Sequence, residues 1–78
     1  MLMRTMPAID RAICEDSYEW LIDNCPGLAQ AVIDEVRAGA SPEQIRGHVL
    51  RLVGAGREPL ALRCQQAAAF VADGKKAS

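Results

Sequence analysis

The chain has 78 residues, 50% of them apolar, and a net charge of −1, so no bulk positive field draws it to nucleic acid or to a membrane surface. A chain of this length builds one small core, which makes a deep enzyme cleft less expected than a binding surface. Its many alanines, and the lack of alternating β-branched runs or hairpin signals, predict an all-α fold. We expect one helical domain at residues 8–74, with a disordered leader at 1–7 and a disordered tail at 75–78.

The first helix is predicted over residues 8–24, and its side chains have an unusual distribution. Four of its five carboxylates fall within about a quarter of its circumference, and these four are Glu15, Asp16, Glu19 and Asp23. The apolar residues form two further groups, Ile9 with Ile13 and Trp20, and Cys14 with Tyr18, Leu21 and Ile22. A surface helix usually buries one stripe of about 100°. We therefore expect this helix either to lie centrally among the others or to bind a second chain.

The second and third helices are predicted from their start and stop signals. Pro26 suits the first turn of the second helix, and Gly39 can adopt the left-handed conformation that closes it. Ser41 and Gln44 then have the spacing of a capping box, with Pro42 at the first helical position. The third helix should run to about Val53.

The fourth helix is predicted to follow the flexible turn at residues 54–56, beginning at Glu58-Pro59 and ending at Gly74. The four short helices should pack as a compact bundle or an orthogonal array. The apolar stripes predict a core made of Ile9, Ile13, Trp20, Leu28, Val32, Val36, Ile45, Val49, Leu52, Val53, Leu60, Cys64, Ala67 and Val71.

Neither the histidine nor the cysteines form a recognisable chemical motif. His48 has no nucleophile beside it in sequence, so we expect a boundary residue and no catalytic group. Cys14, Cys25 and Cys64 lack the close pairs of a structural zinc site, so we expect buried thiols and no metal. We also predict no cofactor, no small-molecule substrate and no membrane span. The odd cysteine count, with no secretory segment, favours the cytoplasm.

The function that the sequence favours is a non-enzymatic protein–protein interaction module of a regulatory, adaptor or inhibitor type. The surplus apolar surface of the first helix lies beside its acidic stripe, as an anchor lies beside a charged rim. The partner would be another protein, or a second copy in a homodimer formed through this helix. The predicted partner-binding residues are Tyr18, Leu21 and Ile22 as anchors, with Glu15, Glu19 and Asp23 as the rim.

An alternative is a DNA-binding regulator that uses the third and fourth helices in a helix-turn-helix-like arrangement. Residues 40–78 hold six basic and three acidic side chains, whereas residues 1–39 hold three basic and seven acidic ones. The turn is longer and richer in glycine than usual, and the pI near 5.7 is far from a basic footprint. The nucleic-acid-binding residues in this alternative are Arg46, Arg51, Arg57 and Arg63.

Overall fold

The computed structural model describes residues 8–77 of the chain, with side chains described for residues 10–74. The four helices are α1 (Ala8–Asn24), α2 (Pro26–Arg37), α3 (Pro42–Val53) and α4 (Glu58–Ala77), and a 3-10 turn at Ala55–Arg57 precedes α4. This arrangement confirms the predicted all-α fold. The leader predicted at residues 1–7 lies outside the described residues, as does Ser78.

Gly39 closes α2 as the sequence predicts. Its φ of 103° lies in the left-handed region that favours glycine. The Gly39 N–H donates to the Val36 carbonyl at 3.0 Å, and the Ala40 N–H donates to the Glu35 carbonyl at 2.9 Å. These two bonds form a Schellman motif, which satisfies carbonyls that the helix end would otherwise leave open.

The capping box at the start of α3 is also confirmed. The Gln44 N–H donates to the Ser41 Oγ at 3.2 Å, and the Ser41 N–H donates to the Gln44 Oε1 at 2.8 Å. Pro42 occupies the first turn, where its missing N–H leaves no bond unmade. The junction between α2 and α3 is therefore determined by local residues, which are Gly39, Ser41, Pro42 and Gln44.

The fourth helix begins at Glu58 as predicted, but the predicted stop at Gly74 is wrong. Gly54, with a φ of 91°, ends α3, and the 3-10 turn leads into α4. The helix then continues to Ala77, so residues 75–77 of the predicted tail belong to it. A glycine inside a helix costs only about 1 kcal/mol, and the following Lys-Lys-Ala are good helix formers with no proline to end the helix.

The core lies where α1, α2 and α3 pack on α4. α4 contributes a row of small buried residues, Ala61, Cys64, Ala67 and Ala68. Small side chains let neighbouring helix axes approach closely. The other buried residues of this cluster are Leu21, Ala29, Val32, Val36, Ile45 and Val49.

The predicted core is partly right. Val32, Val36, Ile45, Val49, Cys64 and Ala67 are buried, while Trp20, Leu28, Leu60 and Val71 are partly buried against the cluster. The core assignment is wrong for three residues that the structure exposes, which are Ile13 (47%), Leu52 (80%) and Val53 (37%). Leu52 and Val53 belong to the last turn of α3, where the apolar stripe runs past the surface that the other helices cover. The Ile9 side chain lies outside the described side chains.

Candidate interaction surface on the first helix

One face of α1 is buried, and it includes a residue that the sequence assigned to a partner. Leu21 is 0% exposed and belongs to the core, so its predicted role as a surface anchor is wrong. On the same face, buried Ser17 donates from its Oγ to the Gln66 Oε1 of α4 at 2.6 Å. The two apolar groups of α1 are similar in size, and the sequence does not say which of them packs inward.

Tyr18 and Ile22 lie one helical turn apart at the edge of that buried face. Tyr18 is partly buried, and its ring centroid lies 5.3 Å from that of Phe70. Ile22 is 42% exposed. Together with Glu19 and Asp23, these two residues line a shallow depression of about 360 Å³. Of the three predicted anchors, two therefore reach the surface.

The predicted acidic rim lies beside this depression. Glu15, Glu19 and Asp23 are exposed, and within residues 10–74 their side chains form no ion pair or hydrogen bond. We call the surface formed by Glu15, Tyr18, Glu19, Ile22 and Asp23 the acidic α1 face. It combines accessible apolar area with three uncompensated carboxylates.

A second opening, between α1 and α4, has no counterpart in the sequence-based prediction. It is an open groove of about 640 Å³. Its exposed apolar residues include Ile13 and Leu62, at 47% and 45%. Asp16 and Arg63 also line it, so its charge is mixed. Leu62 lies off the apolar stripe that the sequence predicts for the fourth helix, which is a signal of its exposure, but the groove itself forms only where α1 and α4 pack together.

The four arginines of the DNA-binding alternative do not share one free surface. Arg46 forms an ion pair with Glu58, and the Arg63 guanidinium lies 4.5 Å from the centroid of the Trp20 ring. Arg51 and Arg57 are exposed. Arg46 and Arg51 are separated by about 140° around α3, since each residue turns an α-helix by about 100°. The alternative therefore depends on Arg51 and Arg57.

The histidine and the buried thiols take part in structural contacts. The His48 Nδ1 lies 2.7 Å from the Glu35 Oε1, which links α3 to α2. Burial raises the pKa of the Cys64 thiol to about 11, with a smaller contribution from Cys25. Burial also raises the pKa of Cys14. Within the described residues, no group of three or more His, Cys, Asp or Glu side chains is placed to hold a metal ion.

No family model, no curated protein sequence and no solved structure matches the chain. None of the helices in residues 8–77 combines the length and the apolar character needed to cross a bilayer. The function is therefore inferred from the geometry and chemistry of the chain itself.

Proposed function

We propose that this protein is a non-enzymatic interaction module that binds another protein through the acidic α1 face. One observation carries the proposal: the exposed side chain of Ile22 lies beside Tyr18 and borders carboxylates that have no partner among residues 10–74. Protein interfaces commonly have this layout, with an apolar centre that is desolvated on binding and a charged rim that stays wet.

The spacing of the rim supports a role outside the fold. Glu15, Glu19 and Asp23 follow one another at intervals of four residues, so each consecutive pair lies on the same side of the helix. Like charges at this spacing destabilise a helix by about 0.2–0.5 kcal/mol for each pair. Cations from a partner would remove this repulsion, so the arrangement stabilises a complex more than it stabilises the free helix.

The chemistry of the described side chains also favours binding over catalysis. Burial raises the pKa of the Cys14 and Cys64 thiols, which lowers the fraction of thiolate, and the thiolate is the reactive species. His48 is exposed and paired with Glu35. The three cysteines are free, which supports our proposal that the protein acts in a reducing compartment such as the cytoplasm.

Affinity capture with three forms of the full chain tests the proposal. The wild type should retain a specific protein from a lysate of its source cells, and Ile22→Glu should lose that protein because a charge replaces the apolar centre. Ile13→Glu is the matched control, since Ile13 is a similarly exposed isoleucine of α1 that lines the separate α1–α4 groove. Equal capture by the wild type and Ile22→Glu would refute the proposal, and selective loss with Ile13→Glu would assign binding to the groove.

A further inference from the structure

We infer that the acidic α1 face takes a basic amphipathic helix from a different protein, in preference to a second copy of this chain. The inference rests on the proposed function and specifies the partner. It follows from the charge on the face, the shape of the apolar ridge and the symmetry of self-association.

The charge on α1 points to a cationic occupant. The described side chains of this helix include five carboxylates and one arginine, Arg11, and Arg11 is already paired with Asp73 of α4. Glu15, Glu19 and Asp23 are left to face solvent. Lysine or arginine side chains that flank an apolar stripe would meet these carboxylates while the stripe covers Ile22. Such complementarity accelerates encounter and excludes acidic competitors.

The shape of the face points to a helix as the bound element. Tyr18 and Ile22 are four residues apart, and side chains at this spacing form a ridge that fits the groove between side-chain rows of a second helix. Residues 8–77 contain no strand, so this part of the chain has no sheet edge to which an extended peptide could add. Strand addition is therefore excluded for this part of the chain, and a helix with apolar residues at helical spacing is the element that matches the Tyr18 and Ile22 spacing.

The same charges disfavour a homodimer through this face. A two-fold interface places one surface against its own copy, so Glu15, Glu19 and Asp23 would meet the same three carboxylates of the second copy. Such contacts fall within the screening distance of about 8 Å at physiological salt, and like charges across an interface oppose association.

Selection from a random peptide library tests the inference without a known partner. Peptides of about 16 residues, or roughly four helical turns, are selected on the immobilised full chain and counter-selected on Ile22→Glu. The selected peptides should be cationic, with apolar residues at i, i+3 or i+4, and i+7. Their affinity should fall about tenfold or more between about 50 mM and about 500 mM salt, because the rim contacts are screened.

Charge reversal on the rim provides the matched comparison. Glu19→Lys should weaken the selected peptides by about fivefold or more, because a carboxylate of the face becomes a like charge. Glu43→Lys changes the net charge equally at an exposed site on α3, and it should leave the affinity within about twofold. Circular dichroism of each variant confirms that the helices are retained. Equal effects of the two reversals would overturn the inference.

The outcomes also separate the inference from the proposed function. Peptides that depend on Ile22 but are neutral or acidic would overturn the inference and leave the proposed function in place. The absence of any peptide that distinguishes the wild type from Ile22→Glu would overturn the inference, whereas the capture experiment decides the proposed function. A dimer in sedimentation at micromolar concentration that Ile22→Glu dissociates would assign the face to a second copy and would also overturn the inference.

Discussion

The strongest test of the fold compares two leucines whose burial in the structure is the reverse of what the sequence predicts. Leu21 was expected at the surface and is 0% exposed, whereas Leu52 was expected in the core and is 80% exposed. Truncation to alanine is the same chemical change at both sites. We expect Leu21→Ala to lower the free energy of unfolding by about 3 kcal/mol, within the range of about 2–5 kcal/mol for buried leucines.

The expected effect at Leu52 is much smaller. Leu52 is 80% exposed in the folded protein. Its truncation therefore removes only about a fifth of the transfer free energy that a fully buried leucine contributes, or about 0.5 kcal/mol. The slightly higher helix propensity of alanine offsets part of this loss. We therefore expect Leu52→Ala to change the free energy of unfolding by less than about 0.5 kcal/mol.

Urea denaturation followed by far-ultraviolet circular dichroism measures both effects. A chain of 78 residues is expected to have about 4–12 kcal/mol of stability, so Leu21→Ala is resolvable unless the wild type lies at the low end. Leu21→Val removes less side chain and keeps the comparison measurable in that case. A loss at Leu52→Ala that equals or exceeds the loss at Leu21→Ala would refute the assigned packing of α1 and α3.

Three further predictions concern the helix ends and one buried thiol. Gly39→Ala should lower the free energy of unfolding by about 1 kcal/mol, because the φ of 103° at this position disfavours a side chain. Gly47→Ala should raise the free energy of unfolding by about 0.5–1 kcal/mol, because Gly47 lies inside α3 with open space around the added Cβ. A change of the same sign for both variants in urea denaturation would contradict this prediction. Ser41→Ala should lower the free energy of unfolding by about 1 kcal/mol, because the capping box is lost. An unchanged urea midpoint would contradict this prediction. The pKa of Cys64 is raised to about 11 from an ordinary value of 9.0, so the unfolded chain loses this proton first and stability falls as the pH rises through that interval. Between pH 8.5 and 11 the wild type should lose about 2 kcal/mol more than Cys64→Ala, and parallel pH profiles would show that the thiol is not responsible.

The helices and their ends could be read from the sequence because local chemistry determines them. Gly39 can adopt the left-handed conformation that closes α2, and Ser41 with Gln44 caps the first turn of α3, whatever packs around them. The end of α4 was misjudged for a related reason. No proline follows Gly74 in the sequence, and Gly74 does not adopt the positive φ that Gly39 and Gly54 have at their helix ends.

The candidate site was only partly predictable because it depends on which side of α1 faces inward. The acidic rim could be located, since carboxylates at intervals of four residues stay at the surface in any reasonable packing. The anchors could not be separated from the core, because Leu21 and Ile22 are adjacent in sequence and equally apolar. Tertiary contacts buried the first of them and left the second 42% exposed. The groove beside Ile13 and Leu62 depends on a distance between helices, and it had no local signal.

The row of alanines and a cysteine along α4 has a consequence for how this protein can diverge. Since three helices rest on Ala61, Cys64, Ala67 and Ala68, a larger residue at any of these positions would displace a whole neighbouring helix. Larger side chains are therefore better accommodated at outward positions. On α1 those positions form the face that we propose for binding, so a substitution there would alter specificity without disturbing the internal scaffold.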